Sequence, residues 1–373
     1  MTSRERLFAA LKGEPTDRVP VWLLFPYHKT GYYVDVRTNP CYVPVFEESR
    51  RTAVMLDRRN LGMPLWVPEV AVSNAAFTEN GWDVKRTTLR CGDDELFSET
   101  RRSDGETLVR KMLTTDADLE TLLRFPVETD RRRIEAHLDG ILPAYRREQS
   151  EFPADYGSMM LDQGEPIGAL YAMADLESLA IWSLTHSDAV VRFLERVMLQ
   201  KRIVYEYCLE RDLADIYFLV GSEMAAPPFV SLATFRRWIM PYATELIGRI
   251  HARGKFVIQH FHGHIREVLP EFLPMGPDGL HTIEAPPVGN CTFAQAYDVV
   301  GDRITLIGNI QYDCFRSYSP ARMAQAVREV LDECRGRRFI LSPTAGPYEE
   351  TIPVSMTENY LSFLKAAWEH GKI

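Results

Sequence analysis

Short, unbroken apolar runs alternate along the chain with longer stretches that repeat their apolar positions every three to four residues. The runs at 157–161, 216–220, 256–260, 279–283, 304–307 and 339–341 are too short for helices and read as buried strands. Helical periodicity fills the gaps at 188–209, 234–252, 264–273, 293–300 and 320–334, with a closing helix over 357–369. Two earlier runs, VPVWLLF at 19–25 and a weaker one at 61–70 containing Pro64 and Pro68, bring the strands to eight. Repeated strand–helix units require a parallel sheet, so the pattern predicts an α/β fold, a (β/α)8 barrel forming one domain over residues 1–373. A doubly wound open sheet is the alternative, but no GxGxxG follows any strand.

Two departures from this rhythm carry information. Thr2 and Glu5 match a capping box, predicting a helix through Leu11 that stops at Gly13. Residues 82–111 alternate polar and apolar around turn signals such as CGDD and SDG, which predicts an antiparallel β-hairpin insertion at about 71–115.

Composition narrows the function classes. Hydrophobic residues at 46% and charged residues at 25% suit a globular enzyme with a large core. A net charge of −9 and the lack of any Lys/Arg block argue against a nucleic-acid partner. No apolar run reaches membrane-spanning length, and the N-terminus lacks the apolar stretch of a signal peptide. Six scattered cysteines without a CxxC read as reduced thiols, and the expected location is cytoplasmic.

The candidate chemistry gathers at the C-terminal ends of the predicted strands, where barrels of this kind keep their active sites. Five of the nine histidines lie between His251 and His281. His260 and His262 share a strand face at i, i+2, and Glu284 ends the next strand roughly 5 Å away, a His/His/Glu set of metal-ligand type. His264 reads as the start of the following helix, and His281 as facing away from Glu284. Glu223 is the candidate proton shuttle or acceptor-orienting carboxylate. Gln163 and Asn309 are candidate substrate hydrogen-bonding groups, and Tyr27, His28, Tyr33 and Tyr171 candidate pocket walls.

The segments RERLFAALKGEPTDRVPVW, HFHG, GLHTIEAPP, LIGNI and ILSPTAG, in that order, resemble the uroporphyrinogen decarboxylase superfamily along essentially the whole chain. The resemblance implies a (β/α)8 barrel and three kinds of activity: decarboxylation of a tetrapyrrole, methyl transfer from corrinoid proteins to thiols, or cobalamin-independent methionine synthesis. Its methyltransferase branches carry a zinc site of His-x-Cys, a later Glu and a Cys after the last strand. Residue by residue, His260 matches the His, His262 stands at the first Cys, Glu284 matches the Glu, and Ala345 stands at the final Cys. The remaining set of two imidazoles, one carboxylate and an open position makes zinc harder and more Lewis-acidic than two thiolates would. The implied partners are a small-molecule substrate and a separate corrinoid protein as methyl donor, and the resemblance leaves a homodimer open. True decarboxylase substrates carry many carboxylates met by arginines after the first strand, yet the loop 25–33, FPYHKTGYY, has none. A decarboxylase of a less acidic substrate and a non-catalytic tetrapyrrole or corrinoid binder are the two alternatives.

Overall fold

A computed structural model describes all 373 residues. Seven strands form one parallel sheet in simple sequence order: β1 (Met55–Arg59), β6 (Gly157–Leu161), β7 (Ile216–Leu219), β8 (Phe256–His260), β9 (Gly279–His281), β10 (Thr305–Ile310) and β11 (Phe339–Pro343). The sheet curls until its edges are joined by one short segment. Val21 bridges Leu341 of β11 and Trp22 bridges Val54 beside β1, both in parallel sense. The hydrogen bonds Trp22 N to Leu341 O (2.9 Å) and Val54 N to Val21 O (2.7 Å) make the two joins. The strand expected at 19–25 is thus a pair of bridges rather than a ladder.

A separate antiparallel sheet follows β1, built from β2 (Ala71–Glu79), β3 (Trp82–Cys91), β4 (Asp94–Ser103) and β5 (Glu106–Arg110). It is a four-stranded meander where a hairpin was expected. The second expected strand also lies elsewhere than its predicted position. Residues 61–70, interrupted by Pro64 and Pro68, form no ladder and make only a Trp66–Val127 bridge, while MLDRR at 55–59 is the strand. Proline cannot donate to a ladder, whereas three charged residues at the end of a strand are tolerated when each finds a partner.

The strands are nearly continuous runs of buried residues, as a sheet covered on both faces requires. Alternation divides them into two cores. Trp22, Leu24, Leu56, Met160, Phe218, Ile258, Ile307 and Ile340 pack on the concave face with Leu7 and Leu11 of the first helix. That helix, Ser3–Lys12, has the expected Thr2/Glu5 capping box and ends on Gly13 in the left-handed region at φ 73°. The alternate residues, among them Met159, Leu161, Tyr217, Leu219 and Val257, pack outward against the helices. Gly157 is obligatory at the β1–β6 join, because a Cβ there would lie 1.8 Å from the Met55 carbonyl oxygen.

The helices Ser187–Glu210, Phe293–Val300, Pro320–Glu333 and Val354–His370 lie where periodicity put them. The helix expected at 234–252 is broken into Leu232–Trp238 and Met240–His251, the second with Pro241 in its first turn. At 264–273 no continuous helix forms. A 3-10 turn at Leu269–Glu271 leads into the four-residue helix Phe272–Met275, since Pro270 and Pro274 each remove a backbone donor. All six cysteines are unpaired, and no helix is long and apolar enough to cross a membrane.

Candidate functional site

The C-terminal ends of the parallel strands carry two polar regions, one on each face of the sheet. The concave one is floored by apolar rings. Phe218 of β7 lies 5.3 Å, centroid to centroid, from the His260 imidazole, and the Arg58 guanidinium stands 4.9 Å from the Phe218 ring. Trp22 packs 5.2 Å from His281.

Above this floor the histidines form a chain. His260 and His281 are register partners on β8 and β9, so their side chains project side by side. Their rings stack with centroids 4.9 Å apart, and the two Nδ1 atoms are 2.8 Å apart, a hydrogen bond. His281 Nε2 reaches the Pro343 carbonyl at 3.2 Å and, facing an acceptor, must carry its proton there. His281 Nδ1 is then the acceptor and His260 Nδ1 the donor, which leaves the His260 Nε2 lone pair unused. Burial, reinforced by neighbouring cationic groups including Arg58, holds His260 well below the ordinary histidine value. Burial likewise pushes His281 down to about 3, against the hydrogen bond to Pro343. Both rings are neutral.

His262 behaves differently. Its ring sits edge-on to His260, 4.4 Å between centroids, and its Nδ1 is 3.3 Å from Glu284 Oε2. Burial opposes its charging, but Glu284 and, further off, Glu223 outweigh this and raise its pKa. Burial in turn opposes charge on Glu284, yet His262, the Gly263 N–H at 2.6 Å and the neighbouring Gln311 amide lower its pKa. Gly289 lets the chain fold back tightly behind this carboxylate, since a Cβ there would be 2.1 Å from the Glu284 carbonyl oxygen.

Of the three residues singled out as metal ligands, the structure therefore joins His262 to Glu284 and sets His260 beside them. As they lie, no three His, Cys, Asp or Glu side chains in the molecule form a group that could hold a metal ion. The 3.3 Å between His262 and Glu284 does equal the edge of a tetrahedron of ligands at about 2.0 Å from zinc, close to 3.3 Å. The donor types also suit that ion, and a neutral His260 oriented by His281 has the outer-shell support that metal-bound imidazoles usually have.

Glu223, in the 3-10 turn Ser222–Ala225 after β7, borders the same region. Its Oε2 is sealed from water without a partner, and burial raises its pKa although backbone N–H groups and His262 pull the other way. Asn309, two residues after the inward-facing Ile307, is half-buried on the concave side. Arg58 was missed by the sequence reading. It holds Asp162 through Nε at 2.9 Å, lies within 5.1 Å of the Tyr32 ring and meets the Tyr33 hydroxyl at 3.4 Å. Its signal was present as a charged pair, Arg58-Arg59, closing the apolar run 53–56.

Three expected pocket residues lie elsewhere. Tyr27 is core, packed on Phe152 and Phe46. His28 is pinned by Asp57, whose Oδ2 meets its Nδ1 at 2.7 Å and whose Oδ1 accepts the backbone N–H groups of Tyr27 and His28. Asp57 alternates with the inward-facing Leu56 and Arg58, which puts this cluster on the outer face. Tyr171 is exposed, with Lys111 5.9 Å from its ring.

The second polar region is on that outer face. Gln163 follows the outward-facing Leu161 and lines a cavity of about 450 Å³ shared with Glu165, Lys201, Met63, Leu65 and Trp66. Lys201 donates to the Gln163 carbonyl. Glu165 Oε2 accepts from Gln259 Nε2 at 2.9 Å, and Gln259 also donates to Ser222 Oγ at 3.0 Å. Burial raises Glu165 to about 8 and lowers Lys201 to about 8.

Comparison with known proteins places this architecture. A methylcobamide:CoM methyltransferase MtaA from Methanosarcina barkeri is 23% identical over 205 residues, which is 55% of this chain and 56% of that protein. The chain thus spans about half the length of this curated relative. A solved methyltransferase from Methanosarcina mazei has the same fold, with a TM-score of 0.61 at 17% identity over 98% of both chains. A family model described as uroporphyrinogen decarboxylase (URO-D) matches residues 131–369, the span from the helix before β6 to the closing helix. The chain belongs to the uroporphyrinogen decarboxylase (URO-D) family and has methyltransferases among its relatives.

Proposed function

We propose that this protein is a metal-dependent methyltransferase that passes a methyl group from a methylated corrinoid, carried on a partner protein, to a small acceptor. We read the Val21–Trp22 bridges as the eighth position of a closed barrel, and the whole chain as one domain bearing the antiparallel insertion. The observation that carries the functional reading is the apposition of His260, with its Nε2 lone pair unused, to the His262–Glu284 pair. The similarity to a methylcobamide:CoM methyltransferase supports the reaction class.

Bound zinc would be held by His260, His262 and Glu284 and would act as a Lewis acid that makes the acceptor easier to deprotonate. The chain's own groups do the rest. His281 fixes the His260 tautomer through the 2.8 Å bond. Glu223 Oε2, unpartnered at the edge of the region, takes or returns the acceptor's proton. Phe218 and Trp22 keep water from below the imidazoles, and Asn309 shapes the wall.

The test is direct. Protein purified without chelator is expected to hold one zinc per chain and to demethylate methylcobalamin in the presence of a thiol or hydroxyl acceptor. A His262→Ala, Glu284→Gln double variant should lose both properties. Wild-type protein that binds no divalent metal under these conditions would overturn the reading.

A further inference from the structure

The outer-face cavity has the makings of a ligand site in its own right. At about 450 Å³ it falls within the usual range for small-molecule pockets. Met63, Leu65, Trp66, Leu89, Met173 and Val197 supply apolar wall. At the other end two polar side chains, Gln163 and Glu165, are only 3% and 2% exposed, and each leaves an atom without a partner: Gln163 Nε2 and Glu165 Oε1. Buried polar atoms are rarely left unpaired, because each has given up its water without a replacement, so two of them lining one cavity point to a missing partner.

The missing partner's chemistry follows from donor counting. Gln163 Nε2 brings two N–H donors, both unused. Lys201 Nζ brings three, of which the Gln163 carbonyl takes one. Glu165 Oε2 already accepts from Gln259, so a neutral Glu165 offers its O–H at Oε1. Burial keeps it neutral near pH 7. Asp162, the one anion on the wall, is neutralised by Arg58. The open valences at Gln163 Nε2, Lys201 Nζ and Glu165 Oε1 therefore all ask for an acceptor, and the free charge is positive.

We propose that this cavity binds a small amphiphilic carboxylate, with its carboxylate on Gln163 Nε2, Lys201 Nζ and Glu165 Oε1 and its hydrocarbon body along Met63, Leu65 and Trp66. The site is distinct from the concave histidine cluster, although Asp162 of its wall pairs with the concave Arg58, and does not depend on whether the chain transfers methyl groups. The Glu165–Gln259 hydrogen bond links the two, because Gln259 directly precedes His260 on β8.

Calorimetric titration of the full-length protein with octanoate, octanol and octylamine tests this. Octanoate should bind one to one and at least tenfold more tightly than either of the others. Gly168 opens onto the cavity from the helix Pro166–Met173, and a Cβ there meets nothing within 4 Å. Gly168→Leu, which fills cavity space without removing a donor, should weaken octanoate at least tenfold, and Gln163→Leu should do so by removing a donor. The proposal is overturned if octanoate fails to bind, if octylamine or octanol binds as well, or if neither variant weakens it. The comparison of three ligands on wild-type protein needs no variant to fold, and metal content plays no part in the readout.

Discussion

Two sets of buried polar groups, one on each face of the sheet, settle their charges in opposite ways. On the concave face two pairs have ionic partners: Arg58 has Asp162, and His262 has Glu284. On the outer face Glu165 and Lys201 line one cavity without an ionic partner of their own, and each is pushed toward its uncharged form. The difference shows that burial alone does not set protonation here. Where a counter-charge stands within hydrogen-bonding reach the charged form survives, and where only amides and carbonyls do, the balance shifts toward the neutral form.

The sharpest way to break this contrast is to remove one member of the concave ion pair. Arg58→Met leaves the partly buried Asp162 without its cation and should cost about 3 kcal/mol in denaturant unfolding. Adding Asp162→Leu should recover most of the loss. A single variant costing under about 1 kcal/mol would put the pair in the class of solvated surface bridges.

A pH titration of stability separates the outer face. Between the ordinary carboxyl value of 4.5 and about 8, folded Glu165 keeps its proton while unfolded Glu165 releases it. Stability should therefore fall as pH rises through that window, by up to about 1.4 kcal/mol per unit from this residue. Glu165→Gln should flatten that fall. For Lys201 the sign reverses: the folded state releases its proton first, so stability should rise between about 8 and 10.5, and Lys201→Met should remove that rise. If Glu165→Gln leaves the slope unchanged, the carboxyl is ionised in the folded protein and the contrast fails.

The mildest effect is expected from His281→Phe. It keeps an aromatic ring against Trp22 and Phe218 but removes the acceptor for His260 Nδ1. Metal affinity, read by competition with a chromophoric chelator, should drop about 10- to 100-fold with little change in melting temperature. Unchanged affinity would show that His281 is packing alone.

Legibility differed between residues for identifiable reasons. His260, His262 and Glu284 were visible because spacing along a strand and the ends of successive apolar runs can be read directly. His281 was set aside on strand parity, yet it meets His260 because the two are register partners across strands, and register is not written in either strand alone. Strand β1 was overlooked because Asp57, Arg58 and Arg59 break its apolar run, and only their partners on other elements make burial tolerable. Gln163 was recognised as a polar rim residue, but alternation after Leu161 turns it to the outer cavity rather than the histidine cluster.

By itself the sequence determined the alternation of strands and helices from β6 onward, the N-terminal cap and the gathering of imidazoles at one strand end, because these depend on local periodicity and hydrogen bonding between near neighbours. Tertiary structure decided which charges are matched. Arg58 with Asp162, and Glu165 with Gln259, are separated by 104 and 94 residues. Whether a buried group stays ionised depends on what the folded chain sets beside it.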